Sequence, residues 1–248
     1  MFLRGFYNAG QAIIVKQREF NVTANNMANI NTAGFRKDEA TLNTFKDELI
    51  WVQRRRATHS GTFQQTYVEE SHTFLEQGAL EFTNSRFDAA IFGNVYFNID
   101  DRAGNVYQTR AGQFELDNEG YLVLGQSGRV QGVNGDIFIG SDDFIITNDG
   151  VIMNDDGVID TLLLTYIPPD ANVRKIGDNL FAYDGDAVIP EGERFDIIQG
   201  AFEKSNVDAN KEMVKALELQ RLLEANSAAI KAYDMINNRN ADMAKLNR

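Results

Sequence analysis

"VYFNIDDRAGNVYQTRAGQFELDNEGYLVLGQSGRVQG", residues 95–132, decides the fold. Apolar and polar residues alternate along it: Val95, Phe97 and Ile99, then Phe114 and Leu116, then Leu122 and Leu124. A period of two marks a strand with one buried face. Each run closes on a turn cluster, "DDRAG", "DNEG" or "GQSG", so the strands are short and fold back on one another. The pattern continues in "FIITNDGVIMNDDGVIDTLLLTYI" (144–167), where Asp-Gly pairs separate short apolar runs. Fifteen of the twenty glycines lie in 71–199, as do all three prolines, Pro168, Pro169 and Pro190. Residues 71–199 are therefore predicted to form a central, mainly antiparallel β domain of sandwich or barrel-like type.

The two ends follow a different rule. Leu3, Phe6, Gly10, Ile13, Gln17, Phe20, Ala24 and Met27 recur at alternating three- and four-residue steps, a helical stripe interrupted at Gly10 and Gln17. Leu219, Leu222, Asn226, Ala229, Tyr233, Ile236, Asn240 and Met243 keep the same spacing at the carboxyl end. The segment "SNVDANKEMVKALELQRLLEANSAAIKAYDMINN" (205–238) has no proline or glycine and is rich in strong helix formers. Either Ser205 or Asp208 suits its N-cap, and about 40 residues would span about 60 Å. The expected class is α+β: terminal helices pairing as an elongated coiled coil around a β domain. The expected division is 1–40 for the amino-terminal helix, 41–70 for a connecting segment, 71–199 for the β domain and 200–248 for the carboxyl-terminal helix. Both stripes are narrow, so each needs a partner helix, from the other terminus, from another copy of the chain, or from both.

Composition narrows the functions. Of 248 residues, 43% are hydrophobic and 10% aromatic, which excludes wholesale disorder. There is no cysteine, hence no disulfide framework and no thiolate metal site. The opening "MFLRGFYNAGQAIIVKQ" lacks the pattern of a cleavable signal, and no stretch reaches the roughly 20 apolar residues of a membrane span. Net charge is −12, spread unevenly: +2 over 1–40, 0 over 41–70, −15 over 71–199 and +1 over 200–248. So acidic a centre argues against nucleic acid, which requires a basic footprint.

The stripe of the first helix runs into "NVTANNMANINTAGFRKDEA" (21–40), with five asparagines between Asn21 and Asn31. Amides disfavour a helix interior but supply donors and acceptors for polar contacts, and Gly34 suits a left-handed stop. Within this stretch Ala24, Asn25, Asn26, Met27, Ala28, Asn29, Asn31, Thr32, Gly34 and Phe35 form a dense motif. It resembles the amino-terminal signature of the flagellar rod, hook and hook-associated (axial) proteins. "QGALEFTNSRFDAAIFGNVYF" (77–97), "YQTRAGQFELDNEGYLV" (107–123) and "QGAFEKSNVDANKEMVKALELQRLLEANSAAIKAYDMI" (199–236) are similar to that family's further motifs, in the same order. The resemblance covers nearly the whole chain and points to a flagellar basal-body rod protein of the proximal or distal rod type.

The resemblance implies a structural subunit rather than an enzyme, without a cofactor, a small-molecule substrate or nucleic acid. It implies export through the flagellar type III apparatus without a cleaved signal peptide. It also implies helical polymerisation outside the cytoplasmic membrane, into the hollow basal-body shaft between motor and hook. Its partners would be other copies of the chain, neighbouring rod or hook proteins and the export apparatus. The terminal helices would line the tube, so the expected interface residues are Phe6, Ile13, Phe20, Asn25, Asn26, Met27, Asn29, Asn31, Gly34, Leu219, Leu222, Ala229, Tyr233 and Ile236. The alternative is a secreted adhesin-like protein that displays an acidic β domain on a coiled-coil stalk.

Catalytic chemistry has little foothold. The two histidines, His59 and His72, stand in a stretch with no cysteine, and no G-x-S-x-G elbow occurs. Asp142/Asp143 and Asp155/Asp156 are adjacent pairs, which diverge on a strand and suit turns better than paired acid–base work. "NDDGVID" lacks the calcium-loop pattern of an EF-hand. "Trp51-Val52-Gln53-Arg54-Arg55-Arg56" is the one basic cluster. It reads as a solvated face, or as a contact with the acidic β domain of a neighbour, with anionic lipid or with cell wall.

Overall fold

The computed structural model describes residues 2–44, 66–101, 103–177, 179–183, 185, 189 and 193–246. It is α+β, with two long helices and mainly antiparallel sheets. The first helix, α1, is Phe2–Ala28 and the second, α2, is Ala209–Leu246. Neither is long and apolar enough to cross a membrane.

Two compact units emerge, and the chain enters the second twice. The helical unit comprises Met1–Ala28, Asp38–His72 and Asp208–Arg248; the β unit comprises Asn29–Lys37 and Thr73–Val207. This differs from a division at residues 40, 70 and 200. Residues 29–37 leave the first helix to join the β unit. The strands Asp38–Thr44 and Thr66–Thr73 pair with each other where a plain connector is expected. Asp196–Gln199 and Ala201–Glu203 are strands paired with Ala89–Phe92 and Leu80–Phe82, so α2 starts only at Ala209. The Gln-Gly-Ala corner at 199–201 turns the chain before any helix can start.

In the β unit, Val95–Asp100 is the central strand of a nine-stranded sheet. One of its edges pairs with Val106–Thr109. The other edge is shared: Leu164–Tyr166 takes Val95 to Phe97, and Gly128–Gly132 takes Ile99 and Asp100. Val95, Phe97 and Ile99 enter the main core with Phe114, Leu122, Val130, Ile137, Ile152 and Ile197. Phe97 and Phe114 meet edge to face at 5.1 Å, a favoured aromatic geometry.

The alternate residues of that strand are buried too. Tyr96 joins a second cluster with Leu75, Ile167, Val173 and Phe181. Buried Asn98 donates to the Leu163 carbonyl at 3.0 Å and accepts from the Thr165 hydroxyl at 2.9 Å. A buried amide persists only when partnered in this way. The alternation along 95–100 thus separates two cores, not a core from solvent.

Candidate functional site

The asparagine-rich stretch ends in a strap, Asn29–Lys37, held within the β unit. Gly34 turns it with φ +68°, and its N–H donates to the Glu203 carbonyl at 2.7 Å. A Cβ at Gly34 would stand 2.3 Å from the Ala111 nitrogen, so a glycine is required on steric as well as conformational grounds. Phe35 is buried with the Lys175 ammonium 4.2 Å from its ring centroid, and Lys175 also donates to the Arg36 carbonyl at 2.5 Å. Asn179 donates to the Ala33 carbonyl at 3.0 Å. Asn206 closes the far end: its Oδ1 accepts from the Lys37 N–H at 2.7 Å, while its Nδ2 donates to the carbonyls of Phe74 and Glu76, each at 3.0 Å.

At the centre stands a buried triad. Arg36 and Glu203 are fully buried and Arg110 nearly so. Oε1 of Glu203 accepts from Arg36 at 2.5 Å and from the Gly78 N–H at 2.7 Å, and Oε2 accepts from Arg110 at 3.1 Å. Arg110 also donates to the carbonyls of Ile91, at 3.0 Å, and Gly93, and lies over the Tyr96 ring at 4.5 Å. Burial lowers the proton affinity of Arg110, and the Glu203 charge opposes that effect. With two guanidiniums and one carboxylate taken out of water, Glu203 is the only anion of the triad that can hold both. The three residues come from "TAGFRK", "YQTRAG" and "QGAFEKSN", which fold onto one point. All three stretches lie within the motifs at 21–40, 107–123 and 199–236, whose spacing does not set these charges apart. The available signal was a charged side chain set among glycines, alanines and aromatics, where no solvated face is possible.

In the helical unit, α1 and α2 pack on each other. The buried face of α1 carries Val15, Glu19, Thr23 and Asn26. Asn26 grips the backbone of Asp38, donating to its carbonyl at 2.8 Å and accepting from its N–H at 3.0 Å. It also stands 3.5 Å from the carboxylate of Glu212, which is buried on α2. The inner face of α2 continues through Ala216, Leu219, Leu223, Asn226, Ile230 and Tyr233 at four- and three-residue steps.

The expected stripes fall partly elsewhere. On α1, Ile13, Phe20 and Met27 are half-buried, whereas Gln17 and Ala24 are exposed, so the apolar stripe flanks the buried face. The Phe6 side chain is outside the described residues. Asn26 bonds within its own unit, Asn29 accepts from the Thr32 hydroxyl at 3.3 Å, and Asn25 and Asn31 are exposed. On α2, Leu219 is 4% exposed and Ala229 and Tyr233 are half-buried, but Leu222 and Ile236 are 46% and 44% exposed. They therefore lie off the buried intramolecular seam. Leu222 adjoins Leu223 and Ala229 adjoins Ile230, so two stripes fit the spacing equally well; burial favours Leu223 over Leu222, while Ala229 and Ile230 are both half-buried. His72, Asp142, Asp143, Asp155 and Asp156 are exposed. His59 and Trp51–Arg56 are outside the described residues.

Asp208, not Ser205, caps α2. Its Oδ1 accepts from the N–H groups of Asn210 and Lys211 at 3.0 and 3.3 Å, while the Ser205 hydroxyl accepts from Val207 in a separate turn. The bond from the Lys211 N–H is the main cause holding the Asp208 carboxyl below its ordinary range. A depressed carboxyl stabilises the folded state above its ordinary value, and that stabilisation is lost as pH falls through the depressed one. Amide protection at Asn210 and Lys211 is expected to weaken on acidification across that interval. In Asp208→Ala it is expected to be weak at every pH. Hydrogen exchange of the two variants at matched intrinsic rates reads this directly, and an acid-insensitive wild type would exclude the cap.

Comparison with known proteins is consistent along the chain. Residues 6–36 match the family described as flagella basal body rod protein, 90–160 the flagellar hook protein FlgE/F/G D1 domain, and 198–241 the flagellar basal body rod FlgEFG protein C-terminal family. The chain is 33% identical over 257 residues to the flagellar basal-body rod protein FlgG of Bacillus subtilis, covering 94% of this chain and 96% of that protein. It is 28% identical over 257 residues to FlgG of Borreliella burgdorferi, covering 94% and 95% respectively. It is 30% identical over 247 residues to the flagellar basal-body rod protein FlgF of Rhizobium meliloti, covering 92% of each.

Proposed function

The chain belongs to the flagellar basal-body rod proteins and is a structural subunit of that rod, and we propose that it assembles through the faces its two helices leave uncovered. One observation carries this reading. In the helical unit, Val15 and Leu219 are the only buried apolar side chains among the described residues, against seven large ones exposed: Ile14, Met213, Val214, Leu217, Leu222, Met235 and Ile236. A two-helix unit with so little core and so much uncovered apolar surface is completed by neighbours. The seam between α1 and α2 is itself polar at Glu19, Thr23, Asn26 and Glu212, and such contacts fix register more than they drive association.

On this reading the helices associate in coiled-coil fashion with those of adjacent copies and form the wall of a hollow helical shaft between motor and hook. The partners are other copies, neighbouring rod or hook proteins, and the type III apparatus that delivers the chain beyond the cytoplasmic membrane. No catalytic role is inferred. The adhesin-like alternative loses its support, because the relatives that match end to end are rod proteins.

The test is truncation, and the strap dictates where to cut. Removing 1–40 would take Gly34 and Arg36 out of the β unit and unfold it for reasons unrelated to assembly. Removing 1–28 leaves the strap and its triad in place. The 29–248 chain is expected to keep the cooperative unfolding of its β unit while remaining monomeric by sedimentation under conditions where the full chain forms rods. Filaments from the truncated chain would overturn the reading.

A further inference from the structure

We propose that the outward face of the three-stranded sheet Ile145–Ile146, Val151–Asn154 and Gly157–Thr161 docks the Trp51–Arg56 segment of a second copy of this chain. The sheet's register sets Ile145 opposite Met153 and Met153 opposite Val158. The three side chains form a single row across the sheet. Ile146 and Ile152, on the other face, are buried in the main core, whereas Ile145 and Val158 are 59% and 68% exposed. Charge lies to one side of the row. Because the strands are antiparallel, Asp142 and Asp143 reach the same end of the sheet as the Asp155–Asp156 turn. Asp143 pairs with Arg86; Asp142, Asp155 and Asp156 are exposed and, among the described residues, in no ion pair.

An apolar row with three carboxylates along one side calls for a ligand that is apolar and then cationic. Trp51-Val52-Gln53-Arg54-Arg55-Arg56 has that order, and it is the basic cluster of a chain whose centre carries −15. Trp51 and Val52 cover the row while the guanidiniums meet Asp142, Asp155 and Asp156, a complementarity that sets orientation as well as attraction. The second copy as donor rests on the assembly reading; the surface itself does not.

The chain has one tryptophan, which makes the measurement clean. The receptor is the full chain carrying Trp51→Phe with Arg54, Arg55 and Arg56 changed to Glu, and the probe is a synthetic peptide of residues 48–59. Titration below the concentration of rod assembly should give a saturable blue shift of the peptide's tryptophan, weakened by added salt. Asp142→Asn, Asp155→Asn and Asp156→Asn together should weaken binding about tenfold, as expected for three exposed charge pairs. Ile145→Asp with Val158→Asp should abolish it, and the Asn variant carries the test if that chain fails to fold. Binding unchanged in the triple Asn variant, or no saturation by about 1 mM peptide, overturns the proposal. Much weaker peptide binding by a Trp51→Phe chain that keeps its arginines, at every dilution, would place the segment on its own chain and also overturn it. None of these readouts requires polymerisation, so failure of the rod assembly test leaves them standing.

Discussion

Glu203→Gln is expected to lower the stability of the β unit by about 3–5 kcal/mol, the cost of breaking a buried ion pair from one side. Glutamine keeps the shape of the side chain and one acceptor oxygen. It removes the only negative charge that, among the described residues, pairs with Arg36 and Arg110, both of which stay buried. Glutamine also points an NH2 group at one of those donors. The loss is larger than that of an ordinary hydrogen bond because, among the described residues, the guanidiniums already leave N–H groups unpartnered, the Nε and Nη2 of Arg36 and the Nε of Arg110. Replacing the triad together, with Arg36→Met, Arg110→Met and Glu203→Leu, should recover much of the deficit, since no charge then remains unpaired. Recovery stays incomplete because the Gly78 N–H and the Ile91 and Gly93 carbonyls lose their partners. Urea denaturation of the three chains orders them: wild type, triple variant, single variant. A Glu203→Gln chain within about 1 kcal/mol of wild type would deny the triad its role as a hub. Amide exchange should also show where the hub acts, with residues 29–37 losing protection before the central strand does.

The sequence made the β domain and the two helices legible because each carries a period: two along 95–132, and three or four along the termini. It did not disclose that the strap 29–37 belongs with the β unit. Nothing periodic marks "NINTAGFRK"; what binds it there is a set of specific contacts to Ala111, Asn179, Glu203 and Asn206, distant in sequence. The same holds for Asn98, whose polar position in the alternation suggests solvent but faces a second core. On α2 the spacing marks a helix but leaves its phase ambiguous, because apolar residues adjoin at 222–223 and 229–230. Phase is a tertiary property: it depends on which side Asn26 and Glu212 take, and those are polar residues that a search for apolar stripes passes over.

That ambiguity becomes the sharpest test of how the helices are used. Leu222→Asp with Ile236→Asp is expected to leave the isolated chain as stable as wild type, within about 0.5 kcal/mol, because both side chains already stand in solvent. Leu219→Asp, on the buried seam, should instead weaken the α1–α2 pairing in the monomer, at a cost of a few kcal/mol for an unpaired buried charge. The two variants part ways on assembly. If neighbouring copies cover the outer face of α2, the double variant buries two unpaired carboxylates at every contact. Each costs a few kcal/mol, and every subunit added to a helical polymer meets the cost again. The double variant should therefore be a well-folded monomer that fails to form rods and fails to restore swimming to cells lacking the native chain. Leu219→Asp should fail by a different route, with altered helix content before any contact forms. Circular dichroism and melting on the monomers, followed by sedimentation, separate the two. Rods of normal length from the Leu222→Asp, Ile236→Asp chain would mean that this face looks into water in the assembled shaft. The apolar contacts between copies would then run through Met213, Leu217 and Met235, which are also exposed on α2.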